Sequence, residues 1–328
     1  MQLIPMEKRT LGKSGIEISR LALGCATFGR EIDEKCSREI MEYALEKGIT
    51  LFDTAESYGG GQARAYRKRV FGIDDIRETT GENHSSEKII GRWLKNTGLR
   101  KQTILQTKIS RNFTKTHLVE ALNASLERLQ TDVIDVYLFH SYDPAVSLEE
   151  SLEAMDFVVK AGKVRVAGCS NFSLAQLREA LEISQNRGLA RLEVIQPIYN
   201  LAYPEIENDL LPFCRKEQIA AVTYSPLGAG FLSGKYSPDR NLFPKGTRFD
   251  VMPDHADEYF SETNFELVEH LRQKADRSGI PMTRLAMNWV LRNPEVTSVL
   301  VGARTTAHLD NALAALQMPD AWPEVMTT

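Results

Sequence analysis

The stretch TILQTKISRNFTKTHLVEALNASLERLQTDVIDVYLFHS, residues 103–141, contains two apolar runs separated by a helical pattern. TILQTKI (103–109) and VIDVYLFH (133–140) are rich in residues that favour strands, whereas HLVEALNASLERLQ (117–130) repeats its apolar residues at helical spacing. Two strands joined by a helix are expected to pair in parallel through a right-handed crossover. The stretch therefore predicts a strand–helix–strand unit.

The same alternation continues along the chain and gives eight strand-like runs in all. The other six runs span residues 19–29, 49–55, 164–171, 192–200, 219–227 and 296–303, and further helical patterns span residues 37–48, 147–162, 174–188 and 205–218. Eight strand–helix units close naturally into a barrel. We therefore predict an α/β fold, a (β/α)₈ TIM barrel forming one domain over residues 1–328. An open doubly wound sheet is the alternative.

A short hairpin is expected before the first barrel strand. KRTLGKSGIEIS (8–19) places the turn signal GKSG between two short polar and apolar runs. The predicted architecture is thus a barrel with an N-terminal β-hairpin.

Composition excludes several classes of protein. The 328 residues are 42% hydrophobic and 26% charged, and the net charge is −4 with both signs interspersed. This pattern argues against nucleic-acid and membrane partners. The first residues lack the features of a signal peptide, and no apolar run approaches the length of a membrane span. We expect a cytoplasmic protein, and the sequence leaves its oligomeric state open.

The four cysteines indicate neither a disulfide framework nor a metal site. Cys25, Cys36, Cys169 and Cys214 are far apart and form no CxxC pair, so reduced thiols and no bound metal are expected. Cys25 follows the first barrel strand, and we predict that it faces a bound cofactor.

Four polar residues follow predicted strands and together suit hydride transfer to a carbonyl. Asp53, Lys108 and His140 end the second, third and fourth strands, and Tyr58 lies just beyond the second. The C-terminal ends of barrel strands form the face where barrels carry active sites. Tyr58 would supply a proton, with its pKa lowered by Lys108, and Asp53 would keep Lys108 charged. A neutral His140 would donate a hydrogen bond to the carbonyl oxygen. Each residue alone also has a purely structural interpretation.

Several ordered motifs make the chain resemble the aldo-keto reductase family, in its branch of potassium-channel β-subunit-like and bacterial proteins. The motifs are FDTAESYG (52–59), QTKI (106–109), YLFHSYD (137–143), GCSNF (168–172), IQPIYN (195–200), YSPLGAGFLSGKY (224–236) and LVGART (300–305). The resemblance implies that Asp53, Tyr58, Lys108 and His140 form the family's catalytic tetrad, with Tyr58 as the proton donor. It further implies an NADP-dependent oxidoreductase that acts on a small-molecule carbonyl or alcohol.

The resemblance also implies the residues that hold the nicotinamide cofactor. Polar groups at strand ends suit the nicotinamide carboxamide, an aromatic ring would stack on the nicotinamide, and a turn of small residues suits the pyrophosphate. The carboxamide would contact Ser170, Asn171 and Gln196, and the nicotinamide ring would stack on Tyr224. The pyrophosphate would lie on the turn formed by Ser225, Pro226, Leu227 and Gly228, with Lys235 beside it.

No GxGxxG motif follows the first strand, so a Rossmann-type cofactor site is not expected. By the resemblance the adenosine end is held late in the chain, where Arg304 opens a helix and is suited to a 2′-phosphate. The resemblance assigns four more residues to the adenosine end of the cofactor, namely Arg248, Gly302, His308 and Asn311. Arg304 favours NADPH over NADH. His308, Asn311 and Ala312 stand where many relatives have Gln, Glu and Asn, so use of NADH as well is expected.

An insertion departs from the family pattern. QARAYRKRVFGIDDIRETTGENH (62–84) separates Gly61 from the helix that usually follows directly. Long loops in compact domains are usually functional or disordered. Its position after Tyr58 makes it a substrate lid or an oligomer contact, with a mobile surface loop as the alternative.

Two other functions remain open at this point. A cofactor-binding sensor or regulatory subunit with little turnover is suggested by the potassium-channel β subunits, and an unrelated barrel lyase or isomerase would use Lys108 as a Schiff base. The substrate pocket is expected in the variable loops.

Overall fold

Eight parallel strands form a closed barrel in the computed structural model, which describes residues 6–75 and 77–319. The barrel strands are β3 (Leu21–Gly24), β4 (Leu51–Asp53), β5 (Ile104–Ile109), β6 (Ile134–Phe139), β7 (Val164–Ser170), β8 (Leu192–Gln196), β9 (Ala220–Thr223) and β10 (Val296–Gly302). Each strand pairs with the next along the chain, and β10 pairs with β3 to close the ring. The predicted (β/α)₈ barrel is confirmed. The ends of the predicted domain, residues 1–5 and 320–328, lie outside the described residues.

The predicted N-terminal hairpin is present and closes one end of the barrel. Its strands β1 (Lys8–Thr10) and β2 (Glu17–Ser19) pair antiparallel. Leu11, Ile16 and Ile18 of the hairpin are buried together with apolar side chains of the barrel strands, so the hairpin seals the interior.

Helices surround the barrel and bury their apolar faces against the outside of the strands. The helices are α1 (Glu34–Glu46), α2 (Gly61–Phe71), α3 (Ser85–Thr97), α4 (Lys115–Leu129), α5 (Leu148–Lys160), α6 (Leu174–Arg187), α7 (Leu210–Glu217), α8 (Arg248–Val251), α9 (Glu262–Ser278), α10 (Met282–Arg292) and α11 (Thr306–Leu316). Helix α1 begins before the predicted boundary because Asp33 caps it, accepting a 2.8 Å hydrogen bond from the Cys36 amide. None of the helices in the described ranges is long and apolar enough to cross a membrane.

A separate apolar cluster holds the long connection between β9 and α9. It packs aromatic rings against one another at centroid distances of 4.5 to 6.3 Å. The rings belong to Phe231, Tyr236, Phe243, Phe249, Tyr259, Phe260 and Phe265. This packing orders a connection whose sequence shows little regular periodicity, and it fixes the position of Arg248 at the start of α8.

The inserted segment contains a helix where the sequence predicted a loop. Helix α2 covers its first half and ends at Gly72, which adopts the left-handed conformation that commonly follows a helix. This helix has no apolar periodicity, because Arg67 is its buried residue and its other positions are half-buried or exposed. Residue 76 of the insertion lies outside the described residues.

Candidate active site

Asp53 and Lys108 form a buried ion pair at the ends of neighbouring strands. β4 and β5 run parallel in register, which places Asp53 beside Gln106 and brings Lys108 within reach. Lys108 Nζ donates to Asp53 Oδ1 at 2.6 Å and to the Thr54 carbonyl at 2.8 Å. Burial would lower the pKa of Lys108, but Asp53 and Tyr58 together outweigh burial and raise that pKa. Lys108 is therefore a fixed ammonium with no exposed surface.

Tyr58 lies next to this ammonium. Lys108 Nζ is 3.5 Å from the Tyr58 hydroxyl and 4.7 Å from the centre of the tyrosine ring. We expected Lys108 to lower the pKa of Tyr58. It does act in that direction, but burial has the larger effect and the pKa is raised above its ordinary value. The phenol is thus protonated at neutral pH, as a proton donor must be.

His140 follows β6 and faces Tyr58 edge to face, with ring centres 5.5 Å apart. Burial and the Lys108 ammonium lower the pKa of His140 to about 3. The imidazole is therefore neutral at working pH. Its Nδ1 lies 3.4 Å from the Ser57 hydroxyl. The structure thus brings together all four residues that the sequence singled out for catalysis.

Gln106 belongs to this constellation, although sequence reasoning missed it. Its Nε2 donates to Asp53 Oδ1 at 2.6 Å, and the same oxygen accepts a 3.0 Å bond from Gln196 Nε2. Gln106 stands two residues before Lys108, so both side chains point to the same side of the strand. That spacing was the available signal. The two amides and the ammonium together hold the Asp53 carboxylate in one orientation.

The residues assigned to the nicotinamide end meet beside the tetrad. Asn171 Nδ2 donates to the His140 carbonyl at 2.9 Å, and the Tyr224 hydroxyl donates to Asn171 Oδ1 at 2.8 Å. The Ser170 hydroxyl donates to the Gln196 carbonyl at 2.7 Å, and both side chains are buried. The contact with His140 connects this group directly to the tetrad.

Two residues predicted to face the cofactor point elsewhere. Cys25 has no exposed surface, and its Sγ lies 3.6 Å from the Leu23 carbonyl oxygen, because the residue packs in the core around the barrel. Asn311 faces helix α10, where its Oδ1 accepts a bond from Arg284 Nε and its Nδ2 donates to Thr283.

The turn after β9 has unusual backbone geometry. Ser225, Gly228, Ala229 and Gly230 all have φ between 55° and 91°, the left-handed region. Gly228 N–H closes the turn by donating to the Ser225 carbonyl at 2.9 Å, and Pro226 and Leu227 lie inside it. A Cβ at Gly230 would come within 2.9 Å of Lys235 Nζ, so this lysine packs onto the turn.

Several cationic side chains lie near the turn after β9 and the start of α11. Burial and Arg304 lower the pKa of Lys235, and burial and neighbouring arginines lower the pKa of Arg248 to about 10. Within the described residues neither side chain makes a hydrogen bond or ion pair to a carboxylate, although Lys235 lies over the Tyr236 ring. Such poorly compensated cations suit a bound anion.

Arg304 and His308 adjoin this group at the start of α11. Arg304 N–H donates to His308 Nδ1 at 3.1 Å, and burial and Arg304 lower the pKa of His308. The exposed Gly302 ends β10 two residues earlier. Arg304 acts on the pKa of Lys235, and Arg248 and Arg304 both act on the pKa of Glu31, so the three cations lie in one region. Their chemistry suits a phosphate group.

The inserted segment is anchored by buried ion pairs. Arg67 Nη2 lies 2.9 Å from Asp75 Oδ2, and Arg77 binds both oxygens of Asp75 at 2.8 Å. Arg77 Nη1 also donates to the Gly246 carbonyl at 3.1 Å, which links the insertion to the connection before α8. These contacts show that the inserted segment packs against the rest of the protein and is not a detached surface loop.

Comparison with known proteins identifies the relatives of the chain. A family model described as "Aldo/keto reductase family" matches residues 20–322. The aldo-keto reductase YhdN of Bacillus subtilis is 34% identical over 93% of this chain and 87% of that protein. Probable voltage-gated potassium channel β subunits are also similar, with 30% identity over 95% of this chain and 92% of the Arabidopsis thaliana protein. The Oryza sativa subsp. japonica protein is 29% identical over 98% of this chain and 94% of its own length.

Proposed function

Because the chain belongs to the aldo/keto reductase family and is thereby an NAD(P)H-type oxidoreductase, we propose that it reduces an aldehyde or ketone to an alcohol with Tyr58 as the proton donor. The observation that carries the proposal is the meeting of Asp53, Tyr58, Lys108 and His140 at one end of the barrel. Members of the family use nicotinamide cofactors, and a bound reduced nicotinamide supplies the hydride.

The four side chains divide the work on the carbonyl oxygen. His140 is neutral, so one ring nitrogen carries a proton that can be donated to this oxygen and align it. Tyr58 is protonated and can release its proton as negative charge develops on the oxygen. Lys108 stabilises the resulting phenolate, and Asp53 fixes Lys108. The same charged state of Lys108 counts against a Schiff base, which needs a neutral amine.

We further propose NADPH as the preferred cofactor. The nicotinamide would lie against Asn171 and Tyr224 beside the tetrad, and the phosphates would lie against Lys235, Arg248 and Arg304. A guanidinium is suited to bidentate contact with a 2′-phosphate, which NADH lacks. Turnover with NADH is expected too, because NADH differs from NADPH only in lacking the 2′-phosphate and can make every other contact.

Cofactor oxidation tests the proposal. Purified protein is mixed with NADPH or with NADH and an activated aromatic aldehyde, and loss of the reduced cofactor and formation of the alcohol are measured together. We expect equimolar alcohol and oxidised cofactor, faster with NADPH at low cofactor concentration. Tight cofactor binding with no alcohol from any of a panel of aldehydes and ketones would contradict the reductase.

A second candidate is a cofactor-binding regulatory subunit with little turnover. The similarity to proteins described as potassium channel β subunits favours it. The complete tetrad favours the reductase, because a binding role alone does not require a buried ammonium beside a protonated tyrosine. Binding without alcohol formation in the experiment above would select the regulatory subunit.

A further inference from the structure

The Glu31 carboxylate lies among arginines from three separate parts of the chain. Glu31 stands in the connection between β3 and α1, and its side chain is 11% exposed. Its Oε1 is 2.9 Å from Arg30 Nη2 and 3.5 Å from Arg77 Nη1 of the insertion. Its Oε2 is 3.7 Å from Arg304 Nη1 at the start of α11. One carboxylate thus faces the guanidinium to which we assign the 2′-phosphate.

Glu31 is ionised at neutral pH. Burial alone would raise its pKa, but Arg30, Arg77, Arg248 and Arg304 together lower it. The charge of Glu31 also acts on Lys235, in the direction that raises the pKa of this lysine. The negative charge of Glu31 is therefore present at neutral pH, and it acts on Lys235, Arg248 and Arg304.

A 2′-phosphate that binds here is attracted by the same cations as Glu31. A phosphate monoester carries about 1.5 to 2 negative charges at pH 7, so the carboxylate and the phosphate repel each other while both attract Arg304. NADH has no 2′-phosphate, so this repulsion does not weaken its binding. We propose that Glu31 is a cofactor-specificity residue that weakens binding of the 2′-phosphate and so narrows the preference for NADPH over NADH. The inference rests on the proposed function.

Removal of the Glu31 charge leaves Arg77 and Arg304 supported, and in Glu31→Gln the mostly buried Arg30 can still donate a hydrogen bond to the side-chain oxygen. Arg77 keeps both oxygens of Asp75 and the Gly246 carbonyl, and Arg304 is half exposed to solvent. The variant Glu31→Gln keeps the size and the hydrogen-bonding capacity of the side chain. It is therefore expected to fold, which circular dichroism checks.

The test measures dissociation constants of NADPH and NADH for the full chain by fluorescence titration. In Glu31→Gln we expect NADPH to bind more tightly by roughly fivefold, in keeping with the energy of a partly exposed charge pair, and NADH to change by less than about twofold. The gain should shrink as salt is added. Glu34→Gln is the matched control, because Glu34 stands three residues away and pairs with Arg38 and Arg92 instead.

Adenosine 2′-monophosphate isolates the phosphate from the rest of the cofactor. Its binding should tighten in Glu31→Gln, while binding of adenosine should not change. An unchanged or weakened affinity for NADPH in Glu31→Gln, or equal gains for both cofactors, would overturn the specificity role. If the wild-type protein binds NADPH and NADH but Glu31→Gln leaves their ratio unchanged, the proposed function stands and only the role of Glu31 fails. If the wild type binds neither cofactor, both fail.

Discussion

At the scale of single residues, Tyr58 and Lys108 show how burial and charge compete. Burial acts against the charged form of both groups, and the outcome depends on the partner at hydrogen-bond distance. Lys108 has a carboxylate at 2.6 Å and stays charged, whereas Tyr58 has an ammonium at 3.5 Å and stays neutral. The two outcomes place a proton donor beside a fixed positive charge. Neither protonation state follows from the residue type alone.

The sequence predicted which residues lie together, but it did not predict how burial and charge combine to set their pKa values. The positions of Asp53, Lys108 and His140 follow from strand ends, which the apolar runs mark. The raised pKa of Tyr58 depends on how deeply the ring is buried, and that depends on loops without periodic signals. Likewise the burial of Cys25 and the orientation of Asn311 depend on packing between helices and barrel.

Arg304 is expected to discriminate between the two cofactors. In Arg304→Ala, NADPH should bind roughly 10- to 100-fold more weakly, the effect of losing a hydrogen bond to a charged group, while NADH binding should change little. Fluorescence titration with each cofactor measures this ratio. Equal losses for NADPH and NADH would mean that Arg304 does not contact the 2′-phosphate.

His140 is expected to make stability depend on pH. Its pKa is about 3 in the folded protein and near 6.5 when unfolded, so the unfolded chain binds the proton first as pH falls. The stabilising contribution of neutral His140 is therefore complete above about pH 6.5 and is lost progressively towards pH 3. Urea unfolding across this range should show a shallower decline in unfolding free energy for His140→Gln than for the wild type. The control His270→Gln changes an exposed histidine and should keep the wild-type slope. Equal slopes for His140→Gln and the wild type would contradict a buried neutral imidazole.

At the scale of elements, the strands and most helices could be predicted because their periodicity is strong. Helix α2 could not, because its one buried side chain is the charged Arg67, which hydrophobic patterns cannot detect. Its packing depends on Asp75, which lies beyond the end of the helix at Phe71 and pairs with Arg67. A contact between two charged residues of one inserted segment leaves no periodic trace in the sequence.

Asp75 is expected to hold the inserted segment in place. Burial would raise its pKa, but Arg77 and Arg67 outweigh burial and lower the pKa to about 2, so it is ionised at neutral pH. Asp75→Asn leaves the buried Arg67 without a full countercharge, which is destabilising. Amide hydrogen exchange in the insertion should accelerate, while exchange in the barrel strands should not change.

Asp74→Asn is the control for this change. Asp74 neighbours Asp75 but pairs with Arg64 at the surface, where an ion pair contributes little. The expected exchange pattern of this variant is that of the wild type. If Asp74→Asn and Asp75→Asn loosen the insertion equally, or neither does, the buried pair is not what anchors it.

At the scale of the whole molecule, the closed barrel brings distant parts of the chain to one end. Asp53, His140 and Arg304 come from early, middle and late segments and lie at this end because parallel strands end on the same face. The repeated strand and helix pattern was enough to predict this architecture. The long connection after β9 was not predictable in detail, because it is held by irregular aromatic packing.

A single-turnover experiment tests the central claim that Tyr58 donates the proton during carbonyl reduction. Wild type and Tyr58→Phe are each saturated with NADPH, mixed with an activated aromatic aldehyde, and followed for cofactor oxidation and alcohol formation. We expect Tyr58→Phe to bind NADPH as the wild type does and to lose turnover by roughly 100- to 10,000-fold, the range for a general acid. Near-normal turnover in Tyr58→Phe would contradict the account.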